Sequence, residues 1–372
     1  MQEILHASDQ YRELDEYIAR NGIKRICTVH GGSLRRLRIS GYMEELAGKV
    51  KVIHFSDFMP NPSYESIVKG IQVFRREKCD AILAIGGGSA IDVAKCIKLY
   101  GTSEGDGNDG LFLKIKPSDN DIRFIAIPTT AGAGSEATRY AVVYYNGEKQ
   151  SITDESIIPH AVLFDASVLD TLPEYQRKST MMDALCHAIE AYWSVNSTAE
   201  SKEYSKQAIR LILDNMEGYL AGNKAAFMPM LMAANMAGKA INIAQTTVGH
   251  AMCYKLSSKY GIAHGHAAAL CVRKLWPAML HVAYDRYCDL RGKEYLFDVF
   301  KELAESMRCD SPYQAAWKFN EIFLNLGLGV PDATFDEIKE FAKGVNPDRL
   351  RNTPVEFRNN DFIPLYEDIL DG

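Results

Sequence analysis

The sequence predicts an α/β domain built on a parallel sheet, followed by an all-α domain. Short β-rich runs alternate with helix-length stretches through Leu172, the rhythm of βαβ units. Beyond Leu172 the β character fades and stretches of helical length take over. The length, 372 residues, suits two or three domains at ~150 residues each.

In chain order, Arg25–Val29, Val50–Phe55, Ala81–Ile85 and Phe124–Ile127 read as strands, each bounded by Gly, Pro or polar residues. Tyr64–Lys78 and Ala90–Tyr100 read as helices between them. Ala141–Tyr145 and Lys149–Ile152 flank Asn146-Gly147, a favoured hairpin turn. Pro173–Ser194, Ser201–Leu220, Ala225–Ala244, Leu296–Ser306, Ser311–Leu326 and Thr334–Val345 suit helices. Pro173 and Ser311-Pro312 sit where helices start. The polar segment Asp348–Asp361 reads as a loop before a short closing helix. These elements divide the chain into a nucleotide-binding domain, residues 1–160, and a helical domain, residues 161–372.

Composition excludes several classes. Basic residues number 42 and acidic 48, a net charge of -6, with no patch of the kind that nucleic acid requires. Arg35, Arg36 and Arg38 form the tightest basic cluster, enough for one phosphate. No run reaches the ~18 apolar residues of a spanning helix, and Met1–Leu14 has no signal-peptide core, so neither a membrane nor export is expected. The eight cysteines are scattered without a CxxC pair, which fits reduced thiols and a cytoplasmic protein.

Three loops after expected strands invite a ligand. Gly86-Gly87-Gly88-Ser89 joins a strand directly to a helix. Glycines allow close backbone approach, and a helix start favours an anion; a tight turn without ligand would read the same way. Pro128-Thr129-Thr130-Ala131-Gly132-Ala133-Gly134-Ser135-Glu136 is a second small-residue loop. Gly31-Gly32-Ser33, followed by Arg35 and Arg36, lacks the acid that usually holds an NAD ribose; it suits a 2′-phosphate, or equally a helix start with solvated arginines.

Asp183 and His187 stand four apart in a helical stretch, hence on one face. His250, His264, His266 and His281 follow, so five of the nine histidines fall between residues 187 and 281. One carboxylate with three imidazoles suits Fe²⁺ or Zn²⁺, and a catalytic ion keeps a position open.

Taken together, Gly86-Gly87-Gly88-Ser89-x-x-Asp92-x-Ala94-Lys95, Pro128-Thr129-Thr130-Ala131-Gly132-x-Gly134-Ser135-Glu136, Asp183-Ala184-Leu185-x-His187-Ala188-Ile189-Glu190, His250-Ala251-Met252 and His264-Gly265 resemble the iron-containing (group III) alcohol dehydrogenases. The resemblance spans residues 20 to 275 or so. It implies a dehydroquinate synthase-like fold with the site in the cleft between two domains, and a homodimer or larger assembly. It implies metal ligands Asp183, His187, His250 and His264. It places Gly86, Gly87, Gly88 and Ser89 on the pyrophosphate, with Asp92, Thr129, Thr130 and Ser135 in the cofactor motifs and Lys149 near the ribose. Gly31-Gly32-Ser33 looks like the NADPH-using variant, since members using NADH carry Asp where Gly31 stands.

Two positions depart from the family. Tyr254 stands where many members have a further His, and His266 replaces an apolar residue. Thr246-Thr247-x-x-His250-Ala251-Met252-x-Tyr254-Lys255-Leu256 with Tyr260-Gly261-Ile262-x-His264-Gly265-His266-Ala267 looks like one branch, the phosphonoacetaldehyde reductases. The resemblance thus implies hydride transfer between a nicotinamide and a small aldehyde. His266, Tyr254 or a water relay would supply the proton. Arg139, Lys255 and Lys259 would face a phosphonate, or lie solvated. A generic alcohol or diol dehydrogenase, a dehydroquinate synthase-like lyase or cyclase, and a nucleotide sensor remain as rivals.

Overall fold

The chain divides into two units, Met1–Thr130 with Gly134–Leu172, and Ala131–Ala133 with Pro173–Gly372. The computed structural model describes residues 2–345 and 347–371.

The first unit runs β1 (Glu3–His6), α1 (Arg12–Arg20), β2 (Arg25–His30), α2 (Ile39–Ala47), β3 (Lys51–Phe55), α3 (Tyr64–Arg76), β4 (Ala81–Gly86), α4 (Gly88–Tyr100), β5 (Arg123–Pro128), β6 (Tyr140–Tyr145), β7 (Glu148–Thr153) and β8 (Ala161–Phe164). Six strands form one parallel sheet in the order β1-β8-β5-β4-β2-β3. All residues of β4 are buried, as expected of an interior parallel strand covered on both faces. Helix α4 is buried nearly all round, whereas α1, α2 and α3 bury one face each. In α3 that face includes Ile67, Ile71 and Phe74. Ser63 caps its start by accepting from the Ser66 N–H at 3.2 Å, and Arg75 and Arg76 occupy its last turn, where cations suit the helix dipole. The β6–β7 hairpin turns at Asn146 and Gly147, whose φ values are 53° and 78°, the left-handed pair that a two-residue turn requires.

Chain order reverses between β2 and β4. From β2 the chain goes outward to β3, whereas from β4 it proceeds in the other direction to β5. Such a switch point opens a crevice at the carboxyl ends of the strands. The register His30↔Ile85 and Gly86↔Pro128 sets the loops after β2, β4 and β5 side by side there. These are the three loops singled out in the sequence.

The second unit is helical: α5 (Glu174–Trp193), α6 (Ala199–Leu220), α7 (Phe227–Ala244), α8 (Val248–Tyr260), α9 (His264–Arg286), α10 (Lys293–Ser306), α11 (Pro312–Asn325), α12 (Phe335–Lys343), α13 (Pro347–Leu350) and α14 (Asn359–Leu370). Every residue from Met181 to Trp193 is buried, so α5 is a core helix with neighbours all round. Trp193 meets Trp276 of α9 edge to face at 5.4 Å; truncating either indole would cost about 3–5 kcal/mol. Capping boxes start α6, at Thr198 and Ser201, and α12, at Thr334 and Glu337. Gly261 ends α8 at φ 64°, a C-terminal role that glycine fills without strain. The segment expected as a loop from Asp348 differs: α13 occupies its start, and only residues 351–358 lack helix before α14. Among the described residues no helix is long and apolar enough to cross a membrane.

Candidate metal centre and nucleotide turn

Asp183 and His187 stand one turn apart on α5, and His250 lies in the first turn of α8. All three are buried, and one ligand atom from each lies within 4.8 Å of the others. Asp183 Oδ1 is 3.7 Å from His250 Nε2 and 3.9 Å from His187 Nε2, too far for a hydrogen bond. The His187 and His250 rings stack at 4.5 Å. Among the described residues, Asp183 Oδ1 and His250 Nε2, which face each other, are buried without a hydrogen-bond partner. Proteins seldom leave such atoms unpaired. One carboxylate and neighbouring imidazoles are a donor set that fits a divalent transition metal.

His264, the fourth expected ligand, opens α9 beside this group. Its ring centroid is 5.3 Å from that of His250, but it is not within the tight three-residue cluster. Its Nδ1 lies 3.7 Å from Cys253 Sγ, and Tyr254 stacks on it at 5.4 Å. Tyr254 is thus a ring neighbour of a candidate ligand.

The electrostatics mark the same cluster. Burial would raise the Asp183 carboxyl, but His187, His264 and His250 hold it below the usual carboxylate range. Burial pushes His187 down to about 4, against the pull of Asp183. Burial acts on His250 in the same direction, yet Glu190 and Asp183 together raise it to about 9.

Glu190, fully buried on α5, takes the His250 Nδ1–H on one oxygen. It stands three residues after His187 and seven after Asp183, a helical spacing visible in the sequence, although sequence reasoning gave it no role. His266 is placed differently from a free proton donor. Its Nε2 donates to the Gly329 carbonyl at 2.7 Å and its Nδ1 accepts from the Tyr175 hydroxyl at 3.0 Å. That hydroxyl in turn accepts the Ala263 N–H at 2.9 Å. Both ring nitrogens are therefore engaged in bracing the start of α9, and burial lowers the imidazole.

In the first unit, Gly87 is the N-cap of α4, and no side chain caps it. A Cβ on Gly87 would stand 3.2 Å from Thr130 Oγ1, so the loops after β4 and β5 close on each other. Thr129 is buried, and its N–H donates to the Gly86 carbonyl at 3.1 Å. Asp92 and Ser135 bond to each other, with Ser135 Oγ donating to Asp92 Oδ1 at 2.8 Å. Lys149 of β7 is near enough to help lower Asp92 against the raising effect of burial. Gly31 and Gly32 lie in the loop after β2, where a Cβ on either would meet nothing within 4 Å.

Two of the three basic residues assigned to an anionic substrate already have acidic company. Arg139 pairs with Glu155 at 2.6 Å and Lys259 with Glu337 at 3.0 Å. Lys255 is exposed, and its stem runs under Gly344, where an added Cβ would come 2.7 Å from Lys255 Cε.

Residues 2–166 match the model of iron-containing alcohol dehydrogenases, and residues 178–368 match that of the C-terminal region of the Fe-containing family. The chain belongs to the iron-containing alcohol dehydrogenase family. It is similar to the NADPH-dependent butanol dehydrogenase of Clostridium saccharobutylicum, at 32% identity over 67% of this chain and 66% of that enzyme. It is also similar to the 1,3-propanediol dehydrogenase of Klebsiella pneumoniae, at 33% identity over 79% of this chain and 77% of that one. A crystal structure of a 1,3-propanediol oxidoreductase shares the fold, with a TM-score of 0.85 at 26% identity, covering 99% of this chain and 97% of that one.

Proposed function

We propose that the chain catalyses reversible hydride transfer between NADPH and a small aldehyde, with phosphonoacetaldehyde, reduced to 2-hydroxyethylphosphonate, as the substrate. The observation that carries the chemistry is the buried group of Asp183, His187 and His250, in which Asp183 Oδ1 and His250 Nε2 have no hydrogen-bond partner. With His264 these residues would hold Fe²⁺ or Zn²⁺. When bound, such an ion polarises a carbonyl oxygen as a Lewis acid, and the nicotinamide carries the hydride.

The chain's own residues do the rest. Gly86, Gly87, Gly88 and Ser89 at the α4 start offer backbone N–H groups to a pyrophosphate. Thr129, Thr130 and Lys149 flank the cofactor, and the Asp92–Ser135 pair stiffens the wall of its site. NADPH is favoured over NADH because Gly31, Gly32 and Ser33 bring no carboxylate to the end of β2, and their open surroundings leave room for a 2′-phosphate. Tyr254, stacked on His264, is better placed to relay a proton than His266, whose nitrogens are engaged. The domain assignment follows: residues 1–160 serve the nucleotide and residues 161–372 the metal and substrate.

The phosphonate reading draws on the Thr246–Ala267 composite and on Lys255; Arg139 and Lys259 support it less, because carboxylates neutralise both. A second reading, a short uncharged aldehyde, is favoured by the butanol and propanediol relatives. NADPH oxidation by Fe²⁺- or Zn²⁺-loaded protein over a panel including phosphonoacetaldehyde, propanal and 3-hydroxypropanal tests both. Fastest turnover with phosphonoacetaldehyde supports the first. Equal or faster turnover of the uncharged aldehydes supports the second. No net NADPH consumption with any aldehyde sinks both and favours a lyase or cyclase that recycles its nicotinamide.

A further inference from the structure

We propose that Glu190 is the positioning residue of the metal centre: it holds His250 in the tautomer that can ligate, and it fastens the start of the helix that carries His250. The proposal rests on the metal reading above and extends it to a residue that touches no ion.

The geometry is that of a closed network. Glu190 Oε1 accepts from Thr247 Oγ1 at 2.6 Å, Gly249 N at 2.9 Å, Thr247 N at 3.2 Å and His250 N at 3.4 Å. Its Oε2 faces His250 Nδ1. Helix α8 has no side-chain cap of its own; a carboxylate from α5 takes that place and receives the N–H groups of the first turn, where negative charge suits the dipole. Thr247 Oγ1 accepts from Trp193 Nε1 at 2.9 Å, so the hydroxyl that donates to Glu190 is itself held. Gly249 makes this approach possible. A Cβ there would stand 3.0 Å from Glu190 Oε1 and 2.7 Å from Val272 Cγ2.

An ionised carboxylate only accepts, so His250 must carry its proton on Nδ1. In the neutral ring that ligates, the lone pair is then on Nε2, the atom that is buried, unpartnered and 3.7 Å from Asp183 Oδ1. A second partner that fixes the tautomer of a ligating histidine is worth about 10- to 100-fold in metal affinity. Glutamine at 190 isolates this effect. Its amide oxygen can still receive the backbone donors of α8, but its NH₂ would face Nδ1. The ring must then move its proton to Nε2, which closes the ligating position, or leave two donors opposed.

The test is Co²⁺ binding to metal-free protein, followed by isothermal titration and by the visible d–d absorption, with folding checked by circular dichroism. The expected result is a folded Glu190→Gln protein that binds Co²⁺ about 10- to 100-fold more weakly, with an altered d–d spectrum. Wild-type affinity and spectrum in Glu190→Gln overturn the proposal alone. Wild-type protein that takes up no Co²⁺, or does so equally well as Asp183→Asn, overturns the metal reading and this proposal with it. Should Glu190→Gln fail to fold, Thr247→Val decides: it removes the shortest donor to Oε1 and leaves the carboxylate. About two- to tenfold weaker Co²⁺ binding is expected, and unchanged binding overturns the proposal.

Discussion

Lys95 is a charged side chain with no exposure to solvent. Its Nζ donates to the Tyr140 carbonyl at 2.6 Å, the Thr138 carbonyl at 2.7 Å and Thr138 Oγ1 at 2.9 Å, tying α4 to the start of β6. Burial lowers the amine from its ordinary 10.5 to about 8, although Asp92 and Glu136 oppose the shift. Between those values the unfolded chain holds a proton that the folded chain has released, so stability gains as pH rises through that window. Lys95→Met should lose about 2–4 kcal/mol at pH 7, from carbonyls left unpaired and Asp92 left without its cation. It should also lose that alkaline gain. Urea unfolding from pH 7 to 10 measures both, and parallel wild-type and variant profiles would refute the account. Lys95 and Asp92 stand in a motif that is visible in the sequence, but their bonds to residues of a later loop are not, because no local spacing encodes them. Glu190 is the opposite case: its position relative to Asp183 and His187 is a plain helical repeat, and what the sequence lacks is only the partner, His250, on another helix.

Helices α5 and α9 approach so closely that one residue between them has no room for a side chain. A Cβ on Gly265 would collide with the Ser179 carbonyl oxygen and stand 2.5 Å from Asp183 Cβ. Gly265→Ala must therefore push the start of α9 away from α5, carrying His264 with it and disturbing Asp183. Overpacking costs about 1–3 kcal/mol, and a backbone obstacle puts this case at the upper end. Thermal unfolding and metal stoichiometry should fall together; wild-type values for both would show that the helices have slack. The same closeness explains what was legible at this scale. The strands β2, β4 and β5 and the helices α5, α6, α7, α11 and α12 follow from apolar runs, caps and prolines. Helices α8 and α9 escape a periodicity reading. Residues Val248–Cys253 and Gly265–Arg273 are buried on every side, so no polar face marks the turn. Strands β1 and β8 escape because each is four residues long, and β1 finds its partner only in β8, far along the chain.

At the scale of the whole molecule the proposed metal ligands and the proposed nucleotide loops fall on different compact units. Asp183, His187, His250 and His264 all belong to the second unit, while Gly31–Ser33, Gly86–Ser89, Thr129 and Thr130 belong to the first. Chelation, or His264→Ala, should abolish aldehyde turnover while NADPH still binds, as followed by nicotinamide fluorescence; retained turnover in His264→Ala would remove that residue from the ligand set. Substrate choice needs the sharper test, because the chain as a whole carries a net charge of -6 and so repels a phosphonate at long range. Any preference for the anion must come from a local cation that its surroundings do not already neutralise. Proximity in sequence nominated Arg139, Lys255 and Lys259 alike, but only the fold shows Glu155 on Arg139 and Glu337 on Lys259. Lys255→Met should therefore raise KM for phosphonoacetaldehyde by about tenfold or more, the loss of one charge-assisted contact. For propanal, KM should stay within about twofold, since an uncharged aldehyde has no such contact to lose. Arg139→Met should show a smaller split, because Glu155 already shares its charge. Steady-state kinetics with both aldehydes at fixed NADPH reads the ratio directly; equal effects on the two substrates would leave the phosphonate without a receptor and return the reaction to the uncharged aldehydes.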